Sequence, residues 1–395
     1  MFGLDAKPNI ESPPARDDLA MVLDGGGARA AYQVGLLRSV ARRHPDLRLP
    51  MLTGVSAGAI NAVFLAAHPG PFAKAVDELT NIWSSLTVDH VFRSDSKSLV
   101  GNLWHWGVRL VGGGRTVAPP FRGLLNTEPL RRTLENELQP AENGEILGIA
   151  RNLEANRLIG LAIVTSSYTT GRSVAWVQGR DIQDWERPFR LSQQTSITVD
   201  HIMASAALPF LFPAVQLGNA WYGDGGIRLI TPLSPAVHLG ANRVLAFSTR
   251  YGSKRSEAER PQVLGYPPPI QIANQLLNAI FLDDHDRDAM NLVVLNRLLE
   301  ELPPERRHGL RVLDLVFIRP SEDIGQLAAK YEVRLPFFFR HLLRSAGVRE
   351  TTNPDLLSLL MFDPEYLKRL MEIGEADGEA RADDIAALLQ PSRVA

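Results

Sequence analysis

Two short apolar runs near the start of the chain, each followed by small residues and a helical pattern, constrain the fold more than any other feature. The run "LAMVLDGGG" ends in glycines, and "ARAAYQVGLLRSVARR" after it carries apolar residues at helical spacing. The run "LRLPMLTG" precedes the helical segment "AGAINAVFLAAH" in the same way. Residues 19–68 therefore predict a βαβ unit, whose two parallel strands end at the same edge of a sheet.

Later segments continue the alternation of strands and helices. The segment "LIGLAIVTSSYTTGRSVAWVQ" predicts a β-hairpin around a Thr-Thr-Gly turn. The segments "RVLAFST" (243–249) and "RVLDLVFIRP" (311–320) predict further strands of the same sheet, and the residues after them show mostly helical patterns. We therefore predict an α/β protein with three parts: a disordered leader at 1–18, an α/β domain at 19–321, and a helical C-terminal portion at 322–395 packed on the same domain.

The composition excludes several classes of function. The chain of 395 residues is 45% apolar and 22% charged with a net charge of −2, so it has no overall basic field for nucleic acid. It contains no cysteine, which excludes disulfides, thiolate metal sites and a cysteine nucleophile. The first residues lack the pattern of a signal peptide, and no apolar segment reaches the roughly 18 residues that a membrane span needs. These features predict a cytoplasmic or peripheral membrane protein and leave its oligomeric state open.

Ser56 lies at the second predicted strand-to-helix junction, in "MLTGVSAGAIN". Gly54 and Gly58 flank it in the pattern G-x-S-x-G, which allows a tight turn that presents a serine near a helix N-terminus. A serine before an alanine-rich helix is also a good N-cap. The pattern alone therefore leaves two interpretations of Ser56 open, a nucleophile and a helix cap.

Gly25, Gly26 and Gly27 follow the first strand as Ser56 follows the second. Neighbouring strands lie about 5 Å apart, so the N–H groups of the glycine turn are expected within reach of an oxyanion formed when Ser56 attacks a carbonyl group. The glycines also fit the dinucleotide-binding pattern G-x-G-x-x-G/A. That pattern requires an acidic residue at the end of the second strand, whereas Asp46 precedes this strand and a serine follows it.

A serine nucleophile needs a base, and none of the nine histidines is marked by its surroundings. His201 and His238 lie in segments where a helix-facing position is expected. His285 has aspartates around it at helical spacing, which is more typical of a solvated helix face than of a metal site. The sequence therefore predicts no metal site and no histidine base.

Asp224, in "AWYGDGGIRLITPL", is the stronger candidate for the base. Because Gly225 and Gly226 follow it, one interpretation is a tight Asp-Gly turn. The apolar and aromatic residues before it favour a second interpretation, in which partial desolvation raises the basicity of the carboxylate. A histidine base would titrate near a pKa of about 6.5, whereas a carboxylate should remain ionised and active to lower pH unless it is strongly desolvated.

Four segments together resemble the patatin-like phospholipase family in order and rough spacing: "DGGGARAAY", "GVSAG", "ASAALPFLFPAV" (204–215) and "DGG" at Asp224. The resemblance covers roughly residues 19–250. It implies a three-layer α/β/α fold with a central, mostly parallel sheet. One departure from the family pattern is Ala30, where many members have glycine.

The resemblance also implies a function. Its members are lipid acyl hydrolases with a Ser-Asp dyad, so Ser56 would be the nucleophile and Asp224 the base. The Gly25–Gly27 turn would supply the oxyanion hole, and Arg29 would fill the family's basic position. The implied substrate is a phospholipid or another acyl ester, cleaved as by a phospholipase A or a lysophospholipase, through an acyl-serine and without a metal or organic cofactor.

Other functional classes remain open at this point. One is an α/β-hydrolase esterase with a Ser-His-Asp triad, since such triads vary in chain order. A dinucleotide-binding protein and a catalytically silent lipid-binding module are further alternatives. The segment "SLVGNLWHWGVRLVGGGRTVAPPFRGLL" (98–125) combines Trp104 and Trp106 with arginines and a glycine hinge. It predicts either a lid or membrane-docking surface beside Ser56, or an ordinary core helix followed by a loop.

Overall fold

The computed structural model describes residues 19–93, 123–228, 233–252, 284–308, 310–334 and 355–390. Within these residues one mixed sheet has the strand order β10-β9-β1-β2-β3-β4-β6-β5, with β8 paired to β3 and β7 paired to β8. The strands are β1 (Leu19–Leu23), β2 (Met51–Val55), β3 (Gly160–Ser167), β4 (Ser173–Gly179), β5 (Glu186–Arg187), β6 (Arg190–Gln194), β7 (Val215–Leu217), β8 (Ala220–Asp224), β9 (Arg243–Phe247) and β10 (Asp314–Ile318).

The centre of the sheet is parallel and buried. Strands β10, β9, β1, β2 and β3 all run in the same direction. Every residue of β1, β2 and β9 is buried, because helices cover both faces of a parallel sheet, and these strands are therefore mostly apolar. The predicted βαβ unit is confirmed by the parallel register of β1 with β2, and the predicted hairpin by the antiparallel register of β3 with β4.

Alternate side chains of β1 enter two different clusters, one on each face of the sheet. Leu19 and Leu23 pack in the larger cluster with the first helices of the chain, whereas Val22 packs on the other face against Leu233 and Leu239.

The described helices are α1 (Ala31–Arg43), α2 (Ala57–Ala67), α3 (Phe72–Ser85), α4 (Val88–Val91), α5 (Glu128–Leu138), α6 (Leu147–Glu154), α7 (Val199–Ser205), α8 (Ser234–Leu239), α9 (Asp284–Glu300), α10 (Ile324–Ala328), α11 (Asp355–Leu360), α12 (Pro364–Ala380) and α13 (Ala382–Leu389).

The C-terminal helices pack directly on the first helix of the chain. A Cβ atom at Gly374 would collide with the carbonyl oxygen of Tyr32, so α12 and α1 approach each other closely. The Tyr32 hydroxyl donates a buried hydrogen bond of 2.9 Å to Asp377 Oδ2 across the same contact. The C-terminal region is helical, as predicted; the boundaries of the three predicted parts of the chain stay a prediction.

Two further predictions concern membranes. The predicted lid at 98–125, with Trp104 and Trp106, lies outside the described residues except for its last three. In the part of the chain that the structure describes, no helix has both the length and the apolar character to cross a bilayer.

Candidate active site

Strand β3 brings the two predicted catalytic side chains to the same place. On one side of β3, Val55 at the end of β2 pairs with Val164. On the same side and one residue further along, Asp224 at the end of β8 pairs with Thr165. Since Ser56 follows Val55 directly, consecutive residues of one strand hold Ser56 and Asp224 next to each other.

Ser56 begins helix α2 in a strained backbone conformation, with φ 54° and ψ −130°. A positive φ is rare for a residue with a side chain and commonly marks a functional site. Ser56 occupies the N-cap position, but its side chain makes no capping hydrogen bond. The hydroxyl is therefore not used as a cap, which was one of the two interpretations of the sequence.

Ser205, at the end of α7, holds this turn in place. Its Oγ accepts a hydrogen bond of 2.9 Å from the N–H of Ser56 and donates one of 2.7 Å to the carbonyl oxygen of Val164. Ser205 is completely buried. Ser205 lies in "ASAALPFLFPAV", but its role could not be predicted from the sequence, because no local pattern shows which backbone group a distant serine will contact.

The glycine turn after β1 packs against Ser56, as predicted. A Cβ atom at Gly25 would lie 3.0 Å from Ser56 Cβ and 3.7 Å from Ser56 Oγ, inside the space that a substrate carbonyl group needs. Gly26 and Gly27 have φ values of 154° and 53°, which disfavour a side chain. This close approach and these dihedral angles explain why three glycines stand here.

Two side chains orient the peptide groups of the glycine turn. Gln33 Nε2 donates to the carbonyl oxygen of Asp24 at 2.7 Å, and Thr249 Oγ1 donates to that of Gly25 at 2.5 Å. In a trans peptide the N–H points away from the C=O, so the N–H groups of Gly25 and Gly26 are turned away from these partners. Within the described residues, the N–H groups of the three glycines donate to no protein acceptor. They form a set of oriented donors beside Ser56.

Asp224 is completely buried at the end of β8. Its Oδ1 accepts a hydrogen bond of 2.8 Å from the N–H of Gly226, whereas Oδ2 has no hydrogen-bond partner among the described residues. Burial raises the pKa of Asp224 to about 7, against smaller lowering effects of the Ser56 hydroxyl and the Gly226 N–H. The hydroxyl is thus near the carboxylate without completing a hydrogen bond to Oδ2, as is common in sites without substrate.

The remaining predicted site residues support the backbone or lie behind it. A Cβ at Gly54, Gly58 or Gly225 would collide with a backbone atom of a neighbouring segment, so these glycines permit the close packing of α2 and β8. Arg29 is buried and its Nε donates to Ser358 Oγ of α11 at 2.6 Å. The side chain of Arg29 therefore connects the glycine turn to the C-terminal helices.

An apolar cavity begins at Ser56 and runs along α2 between α3 and α5. Ser56, Ile60 and Phe64 follow one another on one face of α2, so this wall is about 12 Å long at 1.5 Å per residue. Residues from other elements complete the wall, among them Leu79, Leu134, Phe212 and Phe362. The cavity therefore offers an apolar lining that leads away from the Ser56 hydroxyl.

The described histidines lie away from Ser56. His201 and His238 each pack on a tryptophan ring at a centroid distance of 4.7 Å, and burial is the main reason why both have a pKa lowered to about 4. No described histidine lines the cavity at Ser56. The side chain of His285 and part of its acidic cluster lie outside the described residues. Among the described residues, no group of three or more potential ligands could hold a metal ion.

Several solved structures are similar to this chain. VipD from Legionella pneumophila has 14% identity and a TM-score of 0.38, covering 94% of this chain and 67% of its own. Human GIVD cytosolic phospholipase A2 has 13% identity and a TM-score of 0.42, covering 96% and 60% respectively. The ExoU-SpcU complex of the Pseudomonas aeruginosa type III secretion system has 16% identity and a TM-score of 0.27, covering 94% and 72%. The chain thus spans only about 60% of the human enzyme's length.

No curated protein matches the chain. The model of the family described as patatin-like phospholipase matches residues 21–237, which is more than half of the chain. This range contains the glycine turn, Ser56, Ser205 and Asp224, as well as most of the cavity wall. The chain therefore belongs to the patatin-like phospholipase family, a family of lipid hydrolases.

Proposed function

We propose that the protein hydrolyses acyl esters of lipids through an acyl-serine formed on Ser56, with Asp224 as the base. One observation carries the proposal. A strained serine lies at the end of an apolar cavity, with a buried carboxylate and a glycine turn of oriented N–H donors beside it. The serine and carboxylate supply proton transfer and bond formation, the donors stabilise charge, and the cavity selects an apolar acyl chain.

The first half of the reaction forms the acyl-enzyme. Ser56 Oγ attacks the ester carbonyl carbon while its proton passes to Asp224, and the carbonyl oxygen becomes an oxyanion. When the tetrahedral intermediate collapses, the bond to the leaving alcohol breaks and that alcohol takes the proton from Asp224. In the second half, water attacks the acyl-serine with Asp224 again accepting a proton, and the fatty acid leaves. No step requires a metal or an organic cofactor.

The pKa of Asp224 suits this role. A general base works best when its pKa lies near the working pH, and burial places that of Asp224 at about 7. The carboxylate is then basic enough to accept a hydroxyl proton in the transition state and weak enough to return it to the leaving alcohol. An exposed aspartate, with a pKa near 4, would be a much weaker base.

The glycine turn is the proposed oxyanion hole. Its N–H groups have no acceptor in the part of the protein that the structure describes, and the carbonyl oxygens of Asp24 and Gly25 are held by side chains on their far side. Donors that are oriented before the reaction stabilise the oxyanion without reorganisation, which typically contributes about 3–4 kcal/mol per donor. The positive N-terminal end of α2, at Ser56, adds to this field.

The proposed substrate is a phospholipid or another long-chain acyl ester. The cavity wall beyond Ser56 is almost wholly apolar, so it matches a fatty-acyl chain rather than a polar substituent. Two structural features weigh against the alternatives. No described histidine lines the cavity, as a Ser-His-Asp triad would require, and the glycine turn faces a serine rather than a carboxylate at the end of β2.

The test is hydrolysis of phospholipid, triacylglycerol and nitrophenyl esters by the wild type, Ser56→Ala and Asp224→Asn. We expect both variants to fold and to lose at least three orders of magnitude in kcat. Ser39→Ala is a matched control, because Ser39 is equally buried but contacts Glu379 at 3.1 Å, far from the cavity. A fluorophosphonate should label Ser56 alone. Hydrolysis by Ser56→Ala, labelling of another serine, or a histidine variant as inactive as Ser56→Ala would refute the assignment.

A further inference from the structure

Four exposed aromatic side chains, which we call the aromatic edge, lie at the end of the sheet that carries Ser56 and Asp224. Phe210 is 77% exposed, Phe189 72%, Tyr168 49% and Trp221 44%. In the described part of the chain, every other exposed large apolar side chain is aliphatic. All the exposed large aromatic residues of the described chain are therefore collected at this one end of the sheet.

Backbone hydrogen bonds fix three of these residues to neighbouring strand ends. The N–H of Tyr168 donates to the carbonyl oxygen of Trp221 at 2.8 Å, which joins the ends of β3 and β8. The N–H of Ser173, at the start of β4, donates to the carbonyl oxygen of Phe189 at 2.9 Å. With a strand spacing of about 4.8 Å, the row from Phe189 across β4 and β3 to β8 extends about 15 Å.

The aromatic edge also borders the cavity. Trp221 precedes Asp224 by three residues on β8, a distance of about 10 Å along a strand. Phe210 lies in the loop between Leu208 and Phe212, and both of these residues line the cavity that begins at Ser56. Whatever binds the aromatic edge is therefore presented to the mouth of the cavity.

Both phenylalanines of the aromatic edge are exposed and have an unfavourable backbone conformation. Phe189 and Phe210 both have a φ of 64°. Phe189 follows Pro188 in the two-residue loop between β5 and β6, where a positive φ at the second position favours glycine or asparagine. A bulky residue with positive φ is an outlier, and such strain persists mainly where function requires it.

The charges beside the aromatic edge are mostly positive. Arg187 and Arg190 flank Phe189 at the tip of the β5–β6 loop, and Arg172 lies in the adjoining turn between β3 and β4. A Cβ atom at Gly171 in that turn would lie 3.6 Å from Arg228 Nη2, which places a fourth arginine beside it. Glu186 is the acidic residue in this group, and it pairs with Arg172 at 2.8 Å.

We infer that the aromatic edge docks on the surface of an anionic phospholipid bilayer and holds the mouth of the Ser56 cavity against the lipid. The inference rests on the proposed function. Aromatic side chains beside arginines suit the headgroup region, because their rings enter the interface while the cations attract anionic lipid. A second copy of the chain fits less well, because the arginines at this edge of one copy would face those of the other. A protein partner would cover the cavity that the bilayer supplies with substrate.

The test uses full-length Ser56→Ala protein, so that the vesicles stay intact. Binding is measured by co-sedimentation with vesicles of phosphatidylcholine alone and with added phosphatidylserine. In that background, Phe189→Ala with Trp221→Ala should weaken binding to both vesicles, by roughly tenfold for each ring removed. Leu298→Ala is the matched control, because Leu298 is 55% exposed and lies on α9 at the opposite end of the sheet. Asn296 of the same helix marks this location, since its Nδ2 donates to the carbonyl oxygen of Leu313, just before β10. It should bind as the parent does.

A second pair of variants tests the charges. Arg172→Gln with Arg228→Gln should weaken binding to the phosphatidylserine vesicles by about fivefold per charge and leave binding to phosphatidylcholine unchanged. Arg151→Gln, at an exposed position on α6, is the control for loss of one arginine. Equal binding of the aromatic variant and its control would overturn the inference. The inference would also be overturned if, without lipid, the aromatic variant differed from the parent in sedimentation coefficient, because such a difference would indicate that a second copy of the chain binds at this surface.

A soluble short-chain nitrophenyl ester separates the inference from the proposed function. With Ser56 restored, the Phe189→Ala, Trp221→Ala protein should hydrolyse this ester at the parent rate and vesicle phospholipid at least tenfold more slowly. If the parent hydrolyses the ester but does not bind vesicles, the docking inference fails and the proposed function stands. If it binds vesicles but hydrolyses no ester, the proposed function fails and docking stands.

Discussion

Asp224→Asn should make the folded protein more stable at neutral pH while abolishing the proposed activity. Burial raises the pKa of Asp224 from 3.8 to about 7, because the charged form is poorly solvated in the completely buried site. One pKa unit corresponds to about 1.4 kcal/mol, so the ionised carboxylate destabilises the fold by roughly 4 kcal/mol above pH 7. Asparagine carries no charge and escapes this cost.

The sign and the pH window follow from the raised pKa. Because the folded-state pKa lies above the unfolded-state value, the wild type loses this stability as pH rises from about 4 through about 7. The free energy of unfolding of Asp224→Asn minus that of the wild type should therefore rise by roughly 4 kcal/mol across the window and then level off. The asparagine amide group replaces Oδ2, which has no hydrogen-bond partner among the described residues, and the buried unpaired N–H donors cost about 1–3 kcal/mol at every pH.

Reversible urea unfolding of both proteins at several pH values from 4 to 8 measures the difference directly. Contributions of other groups, including the buried His201 and the half-buried His238, are present in both proteins and cancel in the difference. The same substitution at the exposed Asp77 controls for the loss of one negative charge. A difference that does not change between pH 4 and pH 8 would refute the argument that Asp224 is desolvated when ionised.

Four further predictions concern the site. Under the proposed mechanism kcat/KM should fall below pH 7, to about a tenth of its plateau value at pH 6, because only ionised Asp224 accepts the proton; a flat profile would contradict this. Ser205→Ala leaves two buried backbone groups without partners, so urea unfolding should show a loss of about 2–4 kcal/mol and assays a lower kcat, unlike Ser39→Ala. Thr249→Val releases the Gly25 carbonyl and should lower kcat about tenfold with KM little changed. Ile60→Trp, one helical turn from Ser56, should lower kcat/KM for long acyl esters and spare butyrate; equal losses would place Ile60 outside the acyl site.

The pH profile has a consequence for the choice of base. A carboxylate was expected to remain active to lower pH than histidine unless strongly desolvated, and the structure shows complete burial. The resulting pKa of about 7 is close to the value of about 6.5 for an ordinary histidine. The pH at which activity is half-maximal therefore does not by itself show whether the base is Asp224 or a histidine. Asp224→Asn compared with His201→Ala and His238→Ala does distinguish them.

Local patterns in the sequence were sufficient for the βαβ unit, the hairpin and the position of Ser56 at a strand-to-helix turn. These features depend on side-chain period and on where glycine is tolerated, and both are readable over ten to twenty residues. The glycines at 25–27 and the serine at 56 were found together for this reason. The order of four motifs then indicated the family, which the match over residues 21–237 confirms.

The tertiary structure alone decided how distant residues meet. Ser56 and Asp224 are neighbours only because β2 and β8 pair with consecutive residues of β3, and no local period encodes that register. The pKa of Asp224 depends on complete burial, Ser205 acts on a turn far from it in sequence, and Phe189 is exposed through a loop on a short edge hairpin. Burial and long-range pairing are properties of the packed chain, because each depends on which segments exclude water from one another. The sequence determined the chemical groups and their local geometry, and the packing determined their surroundings.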